Sequence, residues 1–312
     1  MNETKAFVKL LMSLLSILKT FYKKDGRSYL PWRKTKNPYK ILVSEMMLQQ
    51  TQVERVIPKY TAFLQAFPTV TTLAEAPLSE VLALWSGLGY NRRAKFLHQA
   101  AKAVVGEHTG LFPKQVAELE KLPGIGPYTA RAVAAFAYNQ PVVLIETNVR
   151  TVVLYHFGTS WLDAGQVQHN NTGENMKKQR VMLRGVVSDV ELLPLVGDLL
   201  KKSKMQPRDF YAALMDYGSH LKRSGVRLNS KSKGYIKQSK FTGSARELRG
   251  AILRELLKHA RPAPLAKLSI SIASGIKVEN TDVFKSRLKQ ELGTLVAEGL
   301  LIQKNATYAV AK

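Results

Sequence analysis

Near the N-terminus, apolar residues recur at Phe7, Leu11, Leu14, Leu15 and Leu18, the spacing of one face of an amphipathic helix. From Tyr39 to about Phe157 the pattern stays helical but short-ranged, broken by Pro and Gly, with no sustained alternation of period two. One run departs from simple periodicity: in VSEMMLQQTQV, Val43 to Val53, a glutamate stands among methionines and gives way to amides one turn later. Periodicity is lost over WLDAGQVQHNNTGENMKKQRVMLRG, which reads as an irregular insertion, and helical patterns return in SDVELLPLVGDLLKK and PRDFYAALMDYGSHLKRSG. Leu221 to Lys240 follows with seven basic residues and no acidic one, either a linker that touches phosphates or a solvated tether.

A separate piece begins at SARE, where Ser244 and Glu247 have capping-box spacing ahead of the helix LRGAILRELLK. A second helix is expected around PLAKLSISIAS and a third across DVFKSRLKQELGTLVAEG. LLIQ and TYAV then flank the turn residues Lys304, Asn305 and Ala306 as a β-hairpin. Three helices and a terminal hairpin outline a winged helix, whose third helix would offer Lys285, Arg287 and Lys289 to a groove; a small protein-interaction domain has the same outline.

Charge sharpens this picture. The 312 residues hold 47 Lys and Arg against 23 Asp and Glu, a formal charge of +24. That excess points to a polyanionic partner, nucleic acid first, with a generally basic proteome as the plain alternative. The chain has no cysteine, which excludes disulfides, thiolate zinc sites and cysteine-ligated iron–sulfur clusters. The uncharged core between Lys9 and Lys19 is too short to span a bilayer, so the expectation is an intracellular protein, cytoplasmic or nucleoid-associated, without membrane contact.

The most informative segment is LEKLPGIGPYTARAVAAFAY. Leu119 and Leu122 end a short helix, PGIG forms a tight turn, and Pro127 takes a favoured first helical position. Gly124 and Gly126 permit close backbone approach, and N–H groups at a helix N-terminus suit one phosphate oxygen. The string resembles the helix-hairpin-helix of the DNA glycosylase superfamily that includes endonuclease III. Together with LPWRKTKNPYKILVSEMMLQQTQVERVIPKY and LWSGLGYNRRAKFLHQAA, it is similar, over Leu30 to Phe157, to adenine DNA glycosylases of the MutY type.

The resemblance implies a mostly α fold, a helix-hairpin-helix DNA glycosylase with two helical lobes, plus the small C-terminal α+β winged-helix-like domain. The core would span 1–220, with the hairpin lobe at 30–145 and a second lobe from 1–29 and 146–220; a basic linker at 221–243 and the last domain at 244–312 would follow. Glu45 would be the general acid that protonates adenine at N7, its burial among Met46, Met47 and Leu48 favouring the neutral form. Gln49, Gln50, Thr51, Leu88, Tyr90, Arg92, Gly124, Gly126 and Thr129 would meet DNA, with Gln50 and Tyr90 inserted near the base opposite the flipped adenine. Tyr90 as a core tyrosine is the competing reading. Trp32 and Arg33 would border the adenine pocket, although Trp32 also suits a core. Tyr128 stands where strand-cutting relatives place a Schiff-base lysine, so base removal without strand cleavage is expected, and Lys121 is a poor substitute.

The sequence departs from the family in three places. IETNVR puts Glu146 and Thr147 where the family has Asp and Gly; Glu146 still supplies a charge to stabilise an oxocarbenium ion, and Asn148 either orients water or caps the following helix. No cluster cysteines follow ALMDYG, so no cofactor and no metal are expected. The residues after Ser244 do not resemble the Nudix-like C-terminal domain typical of the family, so that domain is not expected here. The expected activity is hydrolysis of the N-glycosidic bond of adenine opposite guanine or 8-oxoguanine, by a monomer acting on double-stranded DNA. Two alternatives stay open: a glycosylase for another base, such as thymine opposite guanine, and a non-catalytic DNA-binding protein on the same scaffold.

Overall fold

The computed structural model describes residues 2–158, 186–235, 237, 240–259, 261–276 and 281–311. The expected insertion from Trp161 to Gly185 lies outside these residues. The chain divides into two compact units, one of residues 1–36 and 131–237, the other of residues 37–130 and 238–312.

In the first unit, helix α1 (Asn2–Asp25) buries Leu11, Leu14, Leu15 and Leu18, the face its periodicity indicates. Each such leucine contributes about 1.5–3 kcal/mol of burial. After an intervening segment that includes the 3₁₀ turn Pro31–Lys34, the unit resumes within a helix whose full span is Pro127–Tyr138. It continues with Thr147–Phe157, Asp189–Ser203 and Pro207–Arg223. The Asp189 helix starts at a capping box between Ser188 and Glu191. The Pro207 helix is central: it packs on α1, on the Thr147 helix and on the Asp189 helix. Its Tyr211 hydroxyl donates to Val142 O at 2.7 Å and accepts from Leu144 N at 3.3 Å, fixing the extended segment before Glu146. Gly218 lets two helices touch, because a Cβ there would sit 2.3 Å from Asn148 O.

The basic stretch expected as a linker from 221 to 243 is partly built into this unit. The Pro207 helix runs to Arg223, a 3₁₀ turn follows at Asn229–Lys231, and Val187 bonds to Lys231 O at 2.8 Å while accepting from Lys233 N at 3.0 Å. Backbone groups satisfied in this way hold the segment where composition alone suggests a tether.

The second unit contains helices α2 (Pro38–Leu48), α3 (Val53–Ala66), α4 (Val70–Glu75), α5 (Leu78–Trp85), α6 (Arg92–His108) and α7 (Val116–Lys121), then the first turn of α8 (Pro127–Tyr138). The unit boundaries fall at 36/37 and 130/131, whereas the sequence reading set them at 29/30 and 145/146. The helices of the first unit after α8 are α9 (Thr147–Phe157), α10 (Asp189–Ser203) and α11 (Pro207–Arg223).

The C-terminal piece belongs to this second unit and is not separate from it. Its helices are α12 (Ala245–His259), α13 (Leu265–Ala273) and α14 (Thr281–Ala297). Strands β1 (Ala263–Pro264), β2 (Leu301–Lys304) and β3 (Thr307–Val310) form an antiparallel sheet in the order β1-β3-β2. Helix α12 packs against α5, and Lys95 Nζ donates to Glu298 O at 2.6 Å. The winged-helix outline is therefore present, with β1 as a strand too short to show in a periodicity. The hairpin turn is Asn305 and Ala306 alone, at φ 44° and 60°, with Lys304 inside β2 paired to Thr307. Two successive positive φ values match the twist of a two-residue hairpin. Ser244 accepts from Glu247 N at 3.3 Å, but the Glu247 carboxylate takes Gly243 N at 2.6 Å, one residue before the position a capping box uses. On α14, Lys285, Arg287 and Lys289 are exposed while Leu288 and Leu292 are buried.

Candidate active site

Helix α2 is capped by Asn37, which accepts from Lys40 N, and starts at Pro38. It is buried nearly all round, from Tyr39 through Met47, so its one carboxylate has no solvent-facing side to occupy. Glu45 is 8% exposed, and the Tyr128 hydroxyl donates to its Oε2 at 3.1 Å. Phenol and carboxyl thus meet across the hairpin helix and α2, a pairing of residues eighty-three positions apart. Donation to one oxygen is compatible with a proton on the other.

The hairpin is set by Gly124. Its φ is 72°, and a Cβ would lie 2.3 Å from the Phe96 side chain, so only glycine fits. Gly126 has no such constraint; open space surrounds its Cβ position, which leaves the backbone approachable. Lys121 is exposed and bonds Glu118 at 2.8 Å on the far side of the turn residues.

After α2 the chain turns through Gln49, Gln50 and Thr51. Gln50 is exposed with φ 54°, and Tyr90 in the second turn has φ 50°. Each left-handed non-glycine residue costs about 1–2 kcal/mol, a strain that persists only where neighbours hold it. The neighbour is Arg93, which the sequence reading did not single out. Its Nη1 donates to Met46 O at 2.6 Å, Met47 O at 3.0 Å and Gln49 O at 2.7 Å, the terminal carbonyls of α2. Its Nη2 reaches Thr51 Oγ1 at 3.2 Å and Gly89 O at 2.9 Å, and its Nε reaches Tyr90 O at 3.3 Å. One buried guanidinium therefore ties together the two turns that present Gln50 and Tyr90. Burial pushes the Arg93 guanidinium down to about 10, with Tyr90 opposing that shift, so it stays charged at neutral pH. A sequence signal existed: Arg93 falls on the same face of α6 as Leu97, Ala100 and Val104, all buried, whereas Arg92 is exposed.

Several expected DNA contacts take other positions. Leu88 is buried at 4%, so its side chain is core, because the turn folds inward over Trp85, whose Nε1 donates to Gly89 O at 3.2 Å. Thr129 is buried and accepts from Gln49 Nε2 at 3.3 Å, which turns both toward each other. Thr51 bonds Gln49 O at 3.2 Å and Arg93, and so braces the turn. Gln50, Tyr90 and Arg92 remain at least partly accessible, Arg92 lying over the Phe96 ring at 5.3 Å.

The remaining candidates lie in the first unit. Glu146 is the N-cap of α9: its Oε1 accepts from Asn148 N at 2.7 Å and Val149 N at 3.0 Å, and its Oε2 from Asn148 Nδ2 at 3.2 Å. The capping residue is thus Glu146 and not Asn148. Asn148 Oδ1 is buried with no hydrogen-bond partner, an acceptor suited to a water molecule. The cationic Lys222 interacts with Glu146, and burial holds its ammonium below the usual lysine range. Trp32 is buried, 7% exposed. Arg33 bonds Asp216 Oδ1 at 3.3 Å, stacks over Phe136 at 5.8 Å, and lines a basic recess with Lys34, Lys36 and Arg208. Asp216, another residue missed from sequence, is 2% exposed and also takes Arg27 N and Nε, at 2.9 and 2.8 Å. Among the described residues no group of three or more His, Cys, Asp or Glu is arranged to hold a metal, and no helix is long and apolar enough to cross a membrane.

Comparison with known proteins places this geometry. Residues 43–173 match the family model of HhH-GPD superfamily base excision DNA repair proteins. The adenine DNA glycosylase of Mycolicibacterium smegmatis is 50% identical over 129 residues, 41% of this chain and 44% of that protein. The adenine DNA glycosylase of Buchnera aphidicola subsp. Baizongia pistaciae is 44% identical over 137 residues, 44% of this chain and 39% of that protein. The chain thus spans less than half the length of these relatives. A solved thermostable thymine-DNA glycosylase superposes with a TM-score of 0.56 at 25% identity, covering 74% of this chain and 98% of that one. Glu45, Tyr90, Arg93 and the glycine hairpin all lie within residues 43–173, the segment that matches this family model.

Proposed function

We propose that this chain is a monofunctional DNA glycosylase of base excision repair, which removes adenine mispaired with guanine or 8-oxoguanine and leaves an abasic site. The observation that carries this reading is the buried Glu45 carboxyl bonded by Tyr128 within a segment similar to adenine DNA glycosylases. Adenine is rotated out of the duplex, and Glu45 delivers a proton to N7. The bond from N9 to C1′ then breaks with its electron pair leaving on neutral adenine. Glu146 stands at the sequence position whose carboxylate, in the family this segment resembles, stabilises the cationic sugar. Water then adds to C1′ and passes a proton to the carboxylate that Glu45 became on delivering its own. Tyr128 has no amine, so no Schiff base forms and the strand stays intact. Gly124 and Gly126 present backbone to a phosphate, which positions double-stranded DNA without reading its sequence. The chain has no cysteine, and the chemistry requires no cofactor.

The deciding experiment incubates the full chain with duplexes holding adenine opposite 8-oxoguanine, adenine opposite guanine and thymine opposite guanine, and measures alkali-labile abasic product. Product from the adenine duplexes is expected; product from none of the three overturns an enzymatic role and leaves a DNA-binding protein. The superposition on a thymine-DNA glycosylase favours a second reading, excision of thymine opposite guanine, which the third duplex reads directly.

A further inference from the structure

The C-terminal piece reaches the turn that carries Tyr90. Arg246, in the first turn of α12, donates from Nη1 to the Tyr90 hydroxyl oxygen at 2.9 Å, and its guanidinium carbon lies 5.5 Å from the ring centroid. Arg93 stands at the same 5.5 Å from that ring, and its Nε donates to Tyr90 O at 3.3 Å. Tyr90 is therefore held at three points: a left-handed backbone, a guanidinium from its own helical block, and a guanidinium from the C-terminal piece. Beside it opens a cleft of about 390 Å³, lined among others by Gln50, Tyr90, Arg92, Arg246 and Arg249, with Phe96 and Leu300 as apolar walls. Arg249 is already committed to Glu291 at 2.5 Å and Glu298 at 3.2 Å, which braces α12 against α14 and fixes the helix from which Arg246 projects.

We propose that Arg246 is a positioning residue for Tyr90, presetting its ring as the wedge that enters the duplex, so that the C-terminal piece takes part in opening the base step. An aromatic side chain inserted between base steps must be aimed before it meets the stack, and a ring free to rotate loses that aim. The arginine supplies a planar face and a directed donor together, which lysine does not. This inference rests on the reading of Tyr90 as a wedge at DNA.

The test is a double-mutant cycle in the full chain with R246A, Y90F and R246A/Y90F. A duplex with 2-aminopurine next to a mispair reports unstacking by its fluorescence, and affinity is measured for mispaired and matched duplexes in parallel. R246A, which loses a charged hydrogen bond and its ring contact, is expected to reduce the preference for the mispaired duplex by about ten-fold, and Y90F, which loses the hydrogen bond alone, by less. The double variant should be no worse than R246A, and R246K should recover only part of the loss. Equal weakening of mispaired and matched binding would mean a phosphate contact and overturn the proposal. So would additive effects, a wild-type fluorescence response in R246A, or a probe left stacked by the wild type. If no duplex yields abasic product, the glycosylase reading fails, while the fluorescence cycle still decides the role of Arg246.

Discussion

Glu45 and Arg93 are both buried ionisable residues, and Arg93 bonds the carbonyl of Met46 next to Glu45, yet their situations differ. Glu45 takes a hydrogen bond from the Tyr128 phenol, and in the proposed reaction its proton is the reagent. E45Q keeps the shape and hydrogen-bonding capacity of the site but holds no transferable acid. Base release should fall by about 10²–10⁴-fold with duplex affinity little changed, measured by single-turnover product formation and by titration; undiminished release would remove Glu45 from the chemistry. Arg93 is structural: R93A leaves the carbonyls of Met46, Met47, Gln49 and Gly89 without their buried donor. Each orphaned group costs about 1–3 kcal/mol, so the variant should be destabilised by several kcal/mol in denaturant unfolding. Glu45 was legible because a carboxylate inside an apolar run is anomalous. Arg93 was not, because it sits in NRRAK beside another arginine, and only the phase of α6 separates the buried one from the exposed one.

At the scale of elements, the hairpin and the C-terminal turn make opposite demands on small residues. G124A adds a Cβ against Phe96 and forces an L-residue to φ 72°, so a loss of about 2–4 kcal/mol is expected from strain and overpacking together, read by chemical denaturation. A306G should act the other way. Ala306 at φ 60° carries a left-handed cost that glycine does not, and the hairpin should gain about 1 kcal/mol, seen as a raised unfolding midpoint. Helices such as α1 and α14 followed directly from periodicity, because a stripe of leucines can only be buried on one side. Strand β1 did not, since two residues show no period, and it exists through its pairing of Ala263 with Tyr308 and Pro264 with Thr307.

For the whole molecule, the formal charge of +24 sets the dominant long-range interaction. Binding to matched duplex should weaken steeply as salt rises, linearly in log–log form, with a slope of about −0.9 for each phosphate neutralised; a flat dependence would count against DNA as partner. Treatment with borohydride during turnover should trap no protein–DNA adduct, because position 128 is tyrosine; a trapped adduct would mean a lysine elsewhere attacks the sugar. What the sequence by itself determined was the helical class, the glycine hairpin, the carboxylate at 45 and the absence of cysteine, since these depend on residue identity and local spacing. Tertiary structure alone decided that Leu88 and Thr129 turn inward, that Arg93 braces two turns, that Glu146 caps α9, and that the C-terminal piece shares a unit with residues 37–130. The reason is physical: those outcomes depend on which distant backbone carbonyls and ring faces come within 3–4 Å, the reach of a hydrogen bond or a packed contact, and chain spacing carries no record of that.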